Sequence, residues 1–196
     1  MTQEEQDVTE LSIFEPEGRA VRYIAEGGDG PTLALVVDRG LDGDALGTVA
    51  HFLVEEEGFR VLRVGLRGGA DAVKRRDLAQ DVVDVLDHVG LGRAWVGGHG
   101  FGGTVARLVA AEHQDRIGGL LVLGVEEEQI PLPDALPVLL IQGADDVETP
   151  VTNGERVRDA APERVSVATI AGAGHLFPAT HPGETAVIIE AYLGWD

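Results

Sequence analysis

The chain has 196 residues, 44% of them apolar, enough for one sizeable core, and no break in composition divides it. Its 34 Asp and Glu against 15 Lys and Arg leave a net charge of −19, which repels phosphate backbones and anionic lipid surfaces and argues against nucleic acid or a membrane as partner. With no cysteine, disulfides, thiolate metal sites and a catalytic thiol are excluded.

Residues 1–10 are polar and acidic, unlike the basic-then-apolar pattern of a signal peptide, and predict a flexible N-terminus ahead of one domain over residues 11–196. The apolar runs that follow are strand-sized, short of the roughly 20 residues that cross a bilayer. A soluble, cytoplasmic protein is the expectation. Residues 11–14 and 20–25 are β-type pieces around Pro16 and Gly18 and predict a hairpin. Residues 33–37 form a continuous apolar run after Pro31, which suits a strand covered on both faces near the centre of a sheet. In residues 44–57, Leu46, Val49, Ala50, Leu53 and Val54 recur at helical spacing, and Gly58 ends the pattern. A strand is predicted at 60–64. From 71 to 89, Leu78, Val82, Val85, Leu86 and Val89 share one helical face, with Asp77, Asp81, Asp84 and Asp87 on others. The alternation continues with strands at 94–97, 119–123, 138–142 and 165–170 and helices at 101–113, 152–160 and 184–193. Strands alternating with helices of this length imply βαβ units and a mostly parallel sheet. Ligand sites in such sheets lie beyond the carboxyl ends of the strands, here the loops 38–43, 65–70, 98–103, 143–148 and 172–178.

The most informative segment is Trp95-Val96-Gly97-Gly98-His99-Gly100-Phe101-Gly102-Gly103-Thr104-Val105-Ala106. A strand that enters a helix through Gly-x-x-x-Gly, with small residues on both sides, has the backbone of a nucleophile elbow. Gly98 to Gly103 resembles the Gly-His-Ser-x-Gly-Gly elbow of the α/β-hydrolase superfamily, with Gly100 where the nucleophilic serine stands. The resemblance runs from about Arg19 to Leu193. Val138-Leu139-Leu140-Ile141-Gln142-Gly143-Ala144-Asp145-Asp146 is similar to the strand and loop that carry the family's catalytic acid, with Asp146 at the acid position. Gly172-Ala173-Gly174-His175 is similar to the loop that carries the catalytic base, with His175 at that position. The order along the chain is also the family's. The resemblance implies a single-domain α/β-hydrolase fold: a mostly parallel central sheet, helices on both faces, and no cap domain, since only residues 124–137 separate two strands where many members insert one. The amide of Phe101 would then bind an oxyanion.

The chain departs from the family pattern at three places. Val36-Val37-Asp38-Arg39-Gly40-Leu41 stands where a His-Gly turn helps form the oxyanion hole; Asp38 would oppose a developing oxyanion, and Arg39 would offset it if it points inward. Gly65 stands where the segment Gly65-Leu66-Arg67-Gly68 would usually begin with Asp. Gly100 has no side chain to attack with.

Other motifs carry less. His99, one before the elbow centre, is read as supporting the turn, and His51, His88, His113 and His181 as surface or packing residues. Gly98-x-Gly100-x-x-Gly103 lacks the later acidic residue of a dinucleotide fingerprint, and the runs Glu55–Glu57 and Glu126–Glu128 cannot face one ion together. No cofactor and no metal are expected.

Losing the serine of a catalytic triad costs on the order of 10⁶ in turnover, with a residual of about 10³ to 10⁴ over water. Three readings follow. The chain is a pseudoenzyme that keeps the scaffold to bind a small molecule or a protein partner. Alternatively, it is an enzyme that needs only His175 as general base and Asp146 to orient it, in a water-mediated hydrolysis, a lyase step or a cyclisation. A third reading is an esterase whose serine was replaced.

Overall fold

The computed structural model describes residues 10–38, 41, 44–68 and 73–194. Arg39, Gly40 and residues 1–9 lie outside them, so the expectations for Arg39 and for a flexible N-terminus do too.

The chain opens with strands β1 (Ser12–Phe14) and β2 (Val21–Gly27), antiparallel as the hairpin reading expects. There follow β3 (Thr32–Val37), α1 (Gly47–Glu55), β4 (Arg60–Gly65), α2 (Arg75–His88), β5 (Ala94–His99) and α3 (Phe101–Glu112). The second half contains β6 (Ile117–Leu123), β7 (Val138–Gly143), α4 (Val151–Ala160), β8 (Val165–Ile170), α5 (Phe177–Thr180) and α6 (Pro182–Leu193). The eight strands form one sheet in the order β1-β2-β4-β3-β5-β6-β7-β8, with every pair from β4 to β8 parallel. β3 sits beside β5 near the middle, where its unbroken run of buried side chains belongs.

Strand side chains alternate between faces, and each face has its own core. On one, Ala34, Val36, Leu62, Val96 and Val122 pack against Leu78, Val82 and Leu86 of α2 and Val105 and Val109 of α3. On the other, Leu33, Leu35, Val61, Leu121 and Ile141 pack against Val49 and Leu53 of α1 and Ile189 and Leu193 of α6. Two covered faces explain the continuous apolar strands, since no residue of a central strand faces water.

Three expectations need correction. Asp81, expected on a face of α2 away from the apolar stripe, is buried all the same: it is 2% exposed and accepts from both Arg19 and Arg67 (Nε, 2.5 Å). A lone carboxylate would not survive there, but two guanidinium groups from β-side loops reach it across the helix. Even so, burial outweighs both partners and pushes the Asp81 carboxyl up from its ordinary value. The helix predicted at 44–57 starts later, at Gly47, because the Asp44 carboxylate accepts the Leu46 amide at 2.8 Å and initiates it from outside. The third is α5, a single turn where a loop had been expected, begun by Phe177, whose buried ring anchors it. His88 is a packing residue, stacked on Phe14 with ring centroids 4.1 Å apart.

Candidate active site

β5 passes into α3 through Gly100 alone (φ 53°, ψ −121°), a conformation that crowds any Cβ. Strand and helix cross closely: a Cβ on Gly98 would lie 2.5 Å from the carbonyl carbon of Gly102, and one on Gly102 would lie 2.3 Å from the Val36 oxygen. Glycine at 98 and 102 is therefore a packing requirement of the elbow. Position 100 differs, because among the described residues a Cβ there would meet only the His175 ring, with Nε2 at 3.8 Å and Cε1 at 3.9 Å. The space a side chain would fill is open and faces an imidazole.

Asp146, three residues beyond the end of β7, divides its two oxygens. Oδ1 accepts the amides of Glu148 (2.8 Å) and Thr149 (2.9 Å), and Oδ2 accepts the Thr149 hydroxyl (2.5 Å) and His175 Nδ1 (3.0 Å). Capping the following loop and holding the histidine are thus done by one carboxylate. Burial works to raise its pKa, but the donors, led by the Thr149 hydroxyl, outweigh burial and hold it below the ordinary 3.8.

His175 stands on the loop after β8, which is tied to the acid loop by the Asp145 amide donating to Ala173 O at 2.9 Å. Because a carboxylate only accepts, Nδ1 carries the proton in the neutral ring, and Nε2 turns its lone pair toward Gly100. Glu148 Oε2 also lies 3.8 Å from Nε2. His99 packs against His175 with centroids 4.6 Å apart, and its Nε2 donates to the His175 carbonyl at 2.9 Å. Burial, with the neighbouring His175 adding to it, lowers the His99 pKa. So His99 does more than support its own turn: it fixes the loop that carries His175.

Phe101 begins α3, where a helix offers its first amides no internal acceptor. Phe101 lines the same cavity as Gly100 and His175. Arg75 lies over the Phe101 ring, 5.7 Å from its centroid.

These groups border a cavity of about 670 Å³. Among the described residues its lining includes five carboxylates, Asp38, Glu126, Glu127, Glu128 and Glu148, and one guanidinium, Arg75. Glu126 accepts the Thr104 hydroxyl at 2.5 Å, Glu128 pairs with Arg75 at 2.9 Å, and Glu127 pairs with Arg156 at 2.8 Å. The Glu126–Glu128 run, in the loop after β6, is also part of the site wall. Three consecutive residues can reach one cavity because they lie in an extended loop beside α3, held by Arg107 donating to Glu128 O at 3.0 Å and Ile130 O at 3.1 Å. Nothing in the spacing of Arg75 or Thr149 marks them; Glu148 lies inside a loop already singled out. A second cavity, of about 510 Å³, shares the Glu126–Glu128 wall and is bounded by Ile130, Leu132 and Val157. Among the described residues no helix is long and apolar enough to cross a membrane, and no group of three His, Asp or Glu is placed to hold a metal ion.

The family model of the α/β-hydrolase fold matches residues 49–136. Over 88 residues, 42% of its length, the chain is 32% identical to the soluble epoxide hydrolase of Corynebacterium sp. (strain C12). The shared stretches take in only 18% to 31% of the length of the curated relatives matched. Among solved structures, a thermophilic esterase from Thermogutta terrifontis superposes with a TM-score of 0.77 at 19% identity, over 94% of this chain and 98% of that one. An alpha-beta serine hydrolase homologue from Coxiella burnetii superposes with a TM-score of 0.75 at 18% identity, over 94% and 97%. Element order, sheet topology and these superpositions agree: the chain has the α/β-hydrolase fold.

Proposed function

We propose that this protein uses a hydrolase-type pocket to bind a neutral or cationic small molecule and forms no acyl-enzyme. The observation that carries the reading is Gly100, whose open Cβ direction points at His175 Nε2 from 3.8 Å with no attacking atom between them. Support for the ligand's charge comes from the wall, where among the described residues Glu126, Glu127, Glu128 and Glu148 stand with the single guanidinium of Arg75, a balance that disfavours a carboxylate or phosphate ester. Support for its shape comes from the neighbouring cavity, where Ile130, Leu132 and Val157 offer apolar contact to a hydrocarbon body between the glutamate wall and Arg107, Arg156 and Arg164, while a polar group sits under His175. The test has two arms. Intact mass after incubation with a fluorophosphonate shows no adduct on the wild type, and an adduct within the 98–103 turn would overturn the reading. Calorimetry with benzyltrimethylammonium, benzyl alcohol and benzoate ranks benzoate weakest, and tighter binding of benzoate would reject the charge assignment.

A second reading is favoured by one observation, the His175–Asp146 pair closed at 3.0 Å. Water in the open position would lose a proton to Nε2 as its oxygen bonds to an ester or amide carbonyl carbon. The resulting oxyanion would be stabilised by the Phe101 amide, and the leaving group would depart with the proton that Nε2 returns. A slow hydrolysis abolished by His175→Ala, with no burst phase, supports this reading, and turnover indifferent to that change removes it.

A further inference from the structure

We propose that Thr149 is a positioning residue for the His175–Asp146 pair: its hydroxyl takes one lone pair of Oδ2 and leaves the other to Nδ1–H, fixing the direction in which the carboxylate holds the imidazole over Gly100. The inference rests on the reading of that pair as the working centre of the pocket.

The geometry is specific to this residue. Thr149 Oγ1 is 2.5 Å from Asp146 Oδ2 and 3.4 Å from His175 Nδ1, so hydroxyl, carboxylate oxygen and imidazole nitrogen form a tight triangle. Only the 2.5 Å and 3.0 Å edges have hydrogen-bond lengths, which makes Oδ2 the shared acceptor. The residue is 4% exposed, so water does not compete for that oxygen. Its placement is built from behind. Gln142, fully buried on β7, donates through Nε2 to the carbonyls of Thr149 (2.9 Å) and Pro150 (3.2 Å). From the other side, Gly124 at the end of β6 leaves space, since a Cβ there would lie 2.8 Å from the hydroxyl oxygen. A valine in place of Thr149 would fill the same volume but remove the donor. Oδ2 would then be free to rotate toward the Glu148 and Thr149 amides, and the imidazole would lose its single fixed partner.

The same contact explains why the hydroxyl leads the donors that keep Asp146 ionised. It also separates positioning from packing, because packing alone would survive the valine change.

The experiment uses the whole chain with ¹³C-labelled aspartate and ¹⁵N-labelled histidine, and needs neither ligand nor turnover, so its failure is distinct from failure of the binding reading. In the wild type the Asp146 carboxyl carbon titrates below the ordinary aspartate range, and the His175 ring gives the pattern of an Nδ1–H tautomer. In Thr149→Val the Asp146 midpoint rises by about one unit and the ring pattern becomes a tautomer mixture, while Thr149→Ser restores both. A midpoint and tautomer unmoved in Thr149→Val would overturn the proposal. If the valine variant does not fold, the wild type decides through the deuterium isotope shift of the Thr149 hydroxyl on the Asp146 carboxyl carbon: its presence supports the shared acceptor, and its absence overturns it.

Discussion

Gly100 can be tested by adding one and then two heavy atoms. Alanine at 100 places a Cβ with no neighbour among the described residues closer than 3.8 Å, so the contacts they make there add no clash. The whole cost falls on the backbone, where φ 53° and ψ −121° disfavour any Cβ by about 1–3 kcal/mol. For a domain of this size, about 1 kcal/mol moves Tm by roughly 2–4 °C, so Gly100→Ala lowers Tm by about 2–12 °C. Serine carries the same backbone cost, but its oxygen, one bond beyond the Cβ, comes within hydrogen-bond reach of Nε2 and recovers about 0.5–1.5 kcal/mol. Urea unfolding of wild type, Gly100→Ala, Gly100→Ser and Gly100→Ser with His175→Ala measures each step. The order of stability is wild type, then serine, then alanine, and the advantage of serine disappears when His175 is removed. An alanine variant as stable as wild type would refute the backbone cost assigned to a Cβ at 100, and a serine variant no better than alanine would refute the placement of the imidazole.

Three further outcomes are expected. Arg63, 6% exposed and held by Glu26 at 2.9 Å and Asp44 at 2.6 Å, leaves two buried carboxylates unpaired when changed to alanine; urea unfolding should show a loss of about 3–5 kcal/mol, and a loss below about 1 kcal/mol would mean that water reaches the triad. His99 has a folded pKa below its unfolded 6.5, so the folded state binds fewer protons; its contribution is complete above pH 6.5 and is lost as pH falls through the lower folded value. Stability curves of wild type and His99→Gln should therefore diverge only below pH 6.5, and parallel curves would show that His99 is not buried neutral. Glu148→Gln should weaken benzyltrimethylammonium binding by about two- to fivefold in low salt, with the difference shrinking at high ionic strength; an effect that salt leaves unchanged would assign Glu148 a packing role instead.

Much of this molecule is legible in the chain. The continuous apolar run at 33–37 predicts a strand covered on both faces, and the alternation predicts strands at 119–123 and 138–142; all three form. The glycines around 100 predict a crossing too tight for side chains, and the distances from Gly98 and Gly102 show why. The order of elbow, acid and histidine brings Asp146 and His175 together at 3.0 Å, as the resemblance implied. The strands and the tight crossing are local and can be read from periodicity and turn geometry along one segment, whereas the pairing of Asp146 with His175 came from the resemblance alone.

What the chain alone could not supply was everything that depends on which loops meet. Asp81 looks like a surface aspartate until Arg19, 62 residues away, and Arg67 reach it. Glu126, Glu128 and Arg75 become one wall only when the loop after β6 folds against the start of α2. Thr149 has a role only because its hydroxyl and an imidazole 26 residues later approach the same oxygen. Sequence therefore determined the scaffold and the glycine at position 100, since both are written in backbone preference and residue identity. The charge of the pocket and the support of its carboxylate were decided by tertiary structure, because electrostatic and hydrogen-bond partners are set by distance in space and not along the chain.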